Sequence, residues 1–180
     1  MEIEITVQHV ARQDRSVFSD LYREWQPIFV RYATGILAGD KSAAEDVVDE
    51  AMLAIWQQAD RYSGQGSAVG WMRRIVRNKA VDWLRKCKES NLGSATIIEE
   101  DSPQHDDAAS PYFAAVQAME ALDLRQALEQ LSFEQREAVW LCYFEERSMA
   151  EIAAIANCPQ NTVKTRLFHA RRILRKMVKV

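Results

Sequence analysis

Between Gln160 and Val180 the sequence reads QNTVKTRLFHARRILRKMVKV, with seven Lys or Arg and no Asp or Glu, in a chain whose formal net charge is −3. Such a run does electrostatic chemistry: it attracts and holds an anion. Exposed helices ordinarily mix acid with base, because opposite charges at i and i+4 stabilise a helix and like charges cost a similar amount. The helix macrodipole, about 0.3 to 1 kcal/mol for a cation near the C-terminus, does not account for so many uncompensated charges. A second set joins the loop Ser63, Gly64, Gln65, Gly66 and Ser67 to Trp71, Arg74, Arg77 and Asn78. Gly64 and Gly66 permit unusual backbone angles, and the helix that follows leaves Arg74, Arg77 and Asn78 available to solvent. The two tryptophans of this stretch, Trp71 and Trp83, equally suit core packing. A third set is acidic: Asp46, Asp49 and Glu50 lie largely opposite an apolar stripe that ends at Trp56, so one face is greasy and one acidic. Nucleophilic and metal chemistry lack their residues. His9, His105 and His169 fall in three separate segments, Cys87, Cys142 and Cys158 have no ligand spacing, and no Glu-x-x-His pair occurs. Neither an enzyme nor a bound cofactor or metal is expected.

Helices must position these groups. Outside the acidic middle of the chain, apolar residues recur at helical spacing, while sustained alternation and Asn-Gly or Asp-Gly turns are missing, so the fold class is all-α. One helix is expected from Ser16 to Leu37, kinked or divided by Pro27. Ser42 and Glu45 have the spacing of a capping box, which starts a second helix near Ala43. Ser67 is the expected N-cap of a third, in which Met72, Ile75, Val76, Ala80 and Leu84 pack inward and Arg73, Arg74, Arg77, Asn78 and Arg85 face solvent. Another helix is expected near Tyr112 to Gln130, followed by capping boxes at Ser132/Gln135 and Ser148/Glu151. Asn157 suits a left-handed helix end and Pro159 the first turn of the next helix. A short helix, a tight turn and a long basic helix make a helix-turn-helix, whose second helix enters the DNA major groove. Gln160, Asn161, Thr162, Lys164, Thr165 and Arg166 stand at its leading end, where base edges are reached, and His169, Arg171 and Arg172 follow, the arginines toward phosphates.

Charge is segregated along the 180 residues: residues 61–88 sum to +7, residues 89–123 to −8 and residues 160–180 to +7. Screening limits electrostatics to about 8 to 10 Å, so these local sums decide which surface meets a polyanion. The expected organisation is an N-terminal arm (1–15), a helical domain (16–88), an acidic flexible linker (89–111) and a helix-turn-helix domain (112–180). A flexible linker of that length spans about 25 to 30 Å. Its acids from Glu99 to Asp107 are expected to screen the two basic helices in the free chain. No apolar run reaches the roughly 18 to 20 residues that span a bilayer, and the N-terminus lacks a secretion-signal layout. Membrane insertion is therefore not expected; a cytoplasmic location is, and the sparse cysteines suit a reducing compartment.

The motifs AEDVVDEAMLAIW, SAVGWMRRIVRNKAVDWLRK and LEQLSFEQREAVWLCYFEERSMAEIAAIANCPQNTVKTRLFHARRILR, in this order around a variable linker, resemble an extracytoplasmic-function (ECF, group 4) RNA polymerase sigma factor of the sigma-70 family. That resemblance implies two small helical domains, region 2-like and region 4-like. It implies core RNA polymerase, promoter DNA and an anti-sigma factor as partners. It assigns core-polymerase binding to Asp46, Asp49, Glu50 and Trp56. It assigns minus-10 DNA to Ser63, Gly64, Gln65, Gly66, Ser67, Trp71, Arg74, Arg77 and Asn78. The minus-35 element falls to Gln160, Asn161, Thr162, Lys164, Thr165, Arg166, His169, Arg171 and Arg172. NCPQNT stands where the family often has a Gly-Val-Ser-type turn, and Gly70 where Thr is common, so the promoter sequence does not follow. A self-sufficient dimeric helix-turn-helix regulator is the competing expectation.

Overall fold

The computed structural model describes residues 3–64, 66–91 and 128–177, and among these the only regular elements are helical. They are α1 (Ile3–Val10), α2 (Arg15–Ile36), α3 (Lys41–Gln58), a 3-10 turn (Ala59–Arg61), α4 (Ala68–Asn91), α5 (Phe133–Val139), a π turn (Trp140–Phe144), α6 (Met149–Ala156) and α7 (Gln160–Met177). Gln65, most of the expected linker and almost all of the helix expected near Tyr112 to Gln130 lie outside the described residues.

Local chemistry sets most boundaries. Asp14 caps α2 by accepting from the Ser16 and Val17 amides. Pro27 lies inside α2, yet the helix is not divided there. An interior proline costs about 3 kcal/mol or more. Buried Leu21 lies before it, and Phe29, Tyr32 and Ile36 after it, so packing holds the helix on both sides. The capping box expected at Ser42 is not the start of α3. Ala38 and Gly39 take positive φ values of 59° and 90°, turning the chain so that the Asp40 carboxylate accepts from the Ala43 amide at 2.9 Å. An ionised cap also gains from the helix dipole, which a serine hydroxyl does not. Ser67 Oγ accepts from Gly70 N at 3.3 Å at the head of α4. Both later capping boxes are formed, at Ser132/Gln135 and Ser148/Glu151.

Helices α1 to α4 enclose Phe29, Ile36, Val48, Met52, Met72 and Val76. The expected N-terminal arm contributes α1, whose Val7 and Val10 are fully buried in the same core. Helices α5 to α7 pack through Leu141, Ile152, Val163, Leu167 and Ala170, and the two cores merge into one cluster. Trp140 lies flat against α2, where a Cβ on Gly35 would run into the indole. This docking corrects one reading of α4. Arg73, expected to face solvent, is only 4% exposed, and the Arg77 side chain only 15%. Residues of α5, the π turn and α6 lie against that basic edge, a tertiary event that helical periodicity does not encode.

Candidate nucleic-acid interface

Helix α7 has two faces. Val163, Leu167 and Ala170 are buried, while Gln160, Asn161, Lys164, Thr165, Arg171, Arg172, Arg175 and Lys176 are exposed. Asn157 takes φ 48° and ψ 52° at the end of α6, the left-handed turn read from the sequence. Glu151 fixes that helix start: bonds from the Ser148 amide and hydroxyl and from Arg147 hold its carboxyl down to about 2. The cap therefore stays ionised at any ordinary pH. Three expected readers are less open than the rest. Thr162 and His169 are half-buried, and Arg166 lies 3.5 Å from Cys158 Sγ and acts on the buried Glu137 carboxyl. Thr165 Oγ1 donates back to the Asn161 carbonyl at 3.0 Å.

Sequence reasoning missed Phe168. It is 56% exposed, lies four residues after Lys164 and seven after Asn161, and its ring meets His169 edge-on at 5.5 Å. With Arg171, Arg172, Arg175 and Lys176 it lines an open cleft of about 530 Å³. The signal was present: position 168 falls outside the buried 163, 167 and 170 stripe, so an aromatic there has no core to enter.

The glycine loop and α4 form the second locus. Gly64 and Gly66 take φ values of 74° and 81°, which side-chain-bearing residues rarely adopt. Tyr62 Oη donates to the Gly66 carbonyl at 2.8 Å and its ring packs 5.7 Å from Trp71, so the indole is half-buried against the loop. Ser63, Gly64, Gly66, Ser67, Arg74 and Asn78 are exposed. A cleft of about 330 Å³ separates this loop from α6, with Tyr62, Trp71, Arg74, Arg147 and Glu151 among its walls. Two of the expected readers are engaged by the region that follows in the chain. Arg74 donates to the Ala154 carbonyl at 3.2 Å, and Arg77 Nε lies 2.8 Å from Glu137 Oε1, with its guanidinium over the Phe133 ring.

On α3, Asp46, Asp49 and Glu50 are exposed; Asp49 accepts from Tyr22 Oη at 2.8 Å and Glu50 pairs with Lys79 at 3.2 Å. Trp56 is half-buried against Phe18, with ring centroids 4.9 Å apart, and so belongs to the edge of the core. Leu53, unremarked in the sequence, is 56% exposed one turn beyond Asp49 and Glu50. Together they make an apolar spot within an acidic rim, suited to a basic helical partner.

Glu137 of α5 is the most buried charge described, fully enclosed between Tyr32 Oη, which donates to it at 3.0 Å, and Arg77. Burial pushes its carboxyl above the ordinary value of 4.5, and Arg77, Tyr32 and Arg166 oppose that rise. Beside it Arg73 pairs with Glu145, and Arg136 Nε donates to the Ile36 carbonyl at 2.9 Å.

Comparison with known proteins accounts for this division. The chain matches the Sigma-70 region 2 family over residues 21–89 and the Sigma-70 region 4 family over residues 121–174. The ECF RNA polymerase sigma factor SigL of Mycobacterium tuberculosis is 31% identical over 174 residues, covering 94% of this chain and 93% of the relative. SigW of Bacillus subtilis is 27% identical over 184 residues, covering 99% and 98%. Among solved structures, the sigma factor RpoE in complex with the anti-sigma factor NepR from Bartonella quintana superposes with a TM-score of 0.72 at 26% identity, over 91% of this chain and 97% of that one. With two helical units in this order and relatives that span its length, the chain belongs to the ECF sigma factors of RNA polymerase.

Proposed function

We propose that the chain binds core RNA polymerase and directs it to promoters, with α7 reading the minus-35 element and the loop 63–67 with α4 engaging the melted minus-10 element. The acid-free outer face of α7, set on a capped helix-turn-helix, carries this reading. Asn161, Lys164 and Thr165 stand where base edges are reached, and Arg171 and Arg172 where phosphates run. Phe168 joins them as an apolar contact for a thymine methyl. At the other end, unpaired bases are held by stacking and backbone charge, a role that suits Trp71, Arg74, Arg77 and Asn78. Asp46, Asp49 and Glu50, with Leu53, form the polymerase-facing patch of α3. An anti-sigma partner is part of the reading, because RpoE, a structural relative, is solved with one. Likeness to sigma factors along nearly the whole chain favours this function over a self-sufficient dimeric regulator.

The purified chain is expected to give defined start sites when added to core polymerase on a genomic promoter library, and its failure to bind core sinks the reading. Phe168→Ala is expected to cost about 1 kcal/mol on the preferred upstream duplex and less on one whose thymines are replaced by uracil. Equal losses on the two duplexes exclude a methyl contact.

A further inference from the structure

A cavity of about 340 Å³ opens where α2, α4 and the chain after Trp140 meet, with Ile28, Arg31, Arg73, Trp140, Glu145 and Arg147 among its walls. Its size falls at the lower end of the range for small-molecule sites, about 300 to 1,000 Å³. Three guanidiniums face one carboxylate there, because Glu145 is the only acid among the described residues that line it. Arg31 is exposed and pairs with no acid among the described residues. Arg73 is only 4% exposed and pairs with Glu145, yet its Nε is buried without a protein acceptor. The Arg147 Nε is buried in the same way, 3.7 Å from Glu145 and so too far for a hydrogen bond. The Trp140 ring is taken up by Gly35 and by Phe144, stacked at 4.5 Å, which leaves its Nε1 donor, again buried without a protein acceptor.

Buried donors are nearly always partnered, and leaving one unmade is costly. Burial pulls the Arg73 guanidinium below its ordinary value, and Glu145 opposes this only in part. Water can accept from such donors but neutralises none of the excess positive charge, whereas an anion does both. The donors come from α2, from α4 and from two points around the π turn, so they converge from several sides. A tetrahedral phosphate presents oxygens in several directions, and a planar carboxylate does not.

We propose that this cavity is a binding site for a small phosphate-bearing anion, held by Arg31, Arg73, Arg147 and the Trp140 indole N–H, with its organic part against Ile28. None of these residues is assigned to the minus-10 or minus-35 element, so the site and the promoter reading stand or fall separately.

The test is a titration of the full chain, isotopically labelled, with inorganic phosphate and with pyrophosphate at constant ionic strength, following the indole N–H resonances. Of the five tryptophans, Trp140 gives the signal that disappears in Trp140→Phe. That signal is expected to move saturably, at lower concentration for pyrophosphate than for phosphate, and little with acetate. Arg31→Gln changes an exposed, unpaired side chain, so the fold survives, and binding is expected to weaken about tenfold. Arg23→Gln, earlier on the same helix and paired with Asp20, should bind as the parent does. The absence of a saturable shift overturns the inference, as does an Arg31→Gln chain that binds like the parent, an equal loss in Arg23→Gln, or acetate that binds as tightly as phosphate. A short single-stranded DNA that moves the Trp140 signal at lower phosphate concentration than pyrophosphate, and needs Arg31 to do so, assigns the cavity to nucleic acid and overturns it too.

Discussion

Glu137→Ala is expected to lower the unfolding free energy by about 3 to 5 kcal/mol in urea titrations, because it strands the Arg77 guanidinium and the Tyr32 hydroxyl in a site closed to water. Adding Arg77→Met should recover most of that loss. The free energy belongs to leaving one charge without its partner, and a methionine in place of the guanidinium has no charge to strand. If the double substitution is as unstable as the single one, the site acts through shape alone. The same carboxyl gives a pH signature of definite sign. Its folded-state value lies above 4.5, so folding takes up protons. Its contribution is fully present below pH 4.5 and is lost as pH rises through the raised value. Glu137→Gln, neutral at every pH, should flatten that part of the stability profile, and an unchanged profile contradicts the assignment.

The second large effect concerns α7. Replacing Arg171, Arg172 and Arg175 together by alanine is expected to reduce the slope of log affinity against log salt by about 2 to 3 on upstream promoter duplex, at roughly 0.9 for each phosphate left unneutralised. Sequence preference should survive, because Asn161, Lys164 and Thr165 lie about two to four turns earlier on the helix. A lost preference with an unchanged slope reverses the two roles. The expected weakening is many-fold near physiological salt and shrinks as salt rises, which separates it from simple unfolding.

Much of this is legible from local patterns. The capping boxes at Ser132 and Ser148, the left-handed Asn157 and the buried Val163, Leu167 and Ala170 rows follow from spacing alone, since each depends on neighbours within a few turns. Asp40 displaces Ser42 as the cap of α3 because two positive-φ residues before it choose the angle at which the chain enters the helix. Pro27 does not divide α2, because apolar contacts on both sides of it outweigh a local penalty. The candidate site divides in the same way. Positions on α7 are readable because its inner stripe leaves them outside, and Phe168 escapes notice only because aromatics usually enter a core. The solvent-facing expectation for Arg73 and Arg77 fails because their partners stand some 60 to 72 residues away, and Tyr32 meets Glu137 across 105. No periodicity in a single helix announces the surface that another will cover.

Gly35 leaves a notch in the last turn of α2, where an alanine methyl would run into the Trp140 indole. The region 2 bundle thus keeps one backbone position bare as the seat for an indole of the region 4 unit. Any side chain at position 35 would push against that ring, so the fit between the two units hangs on a missing methyl.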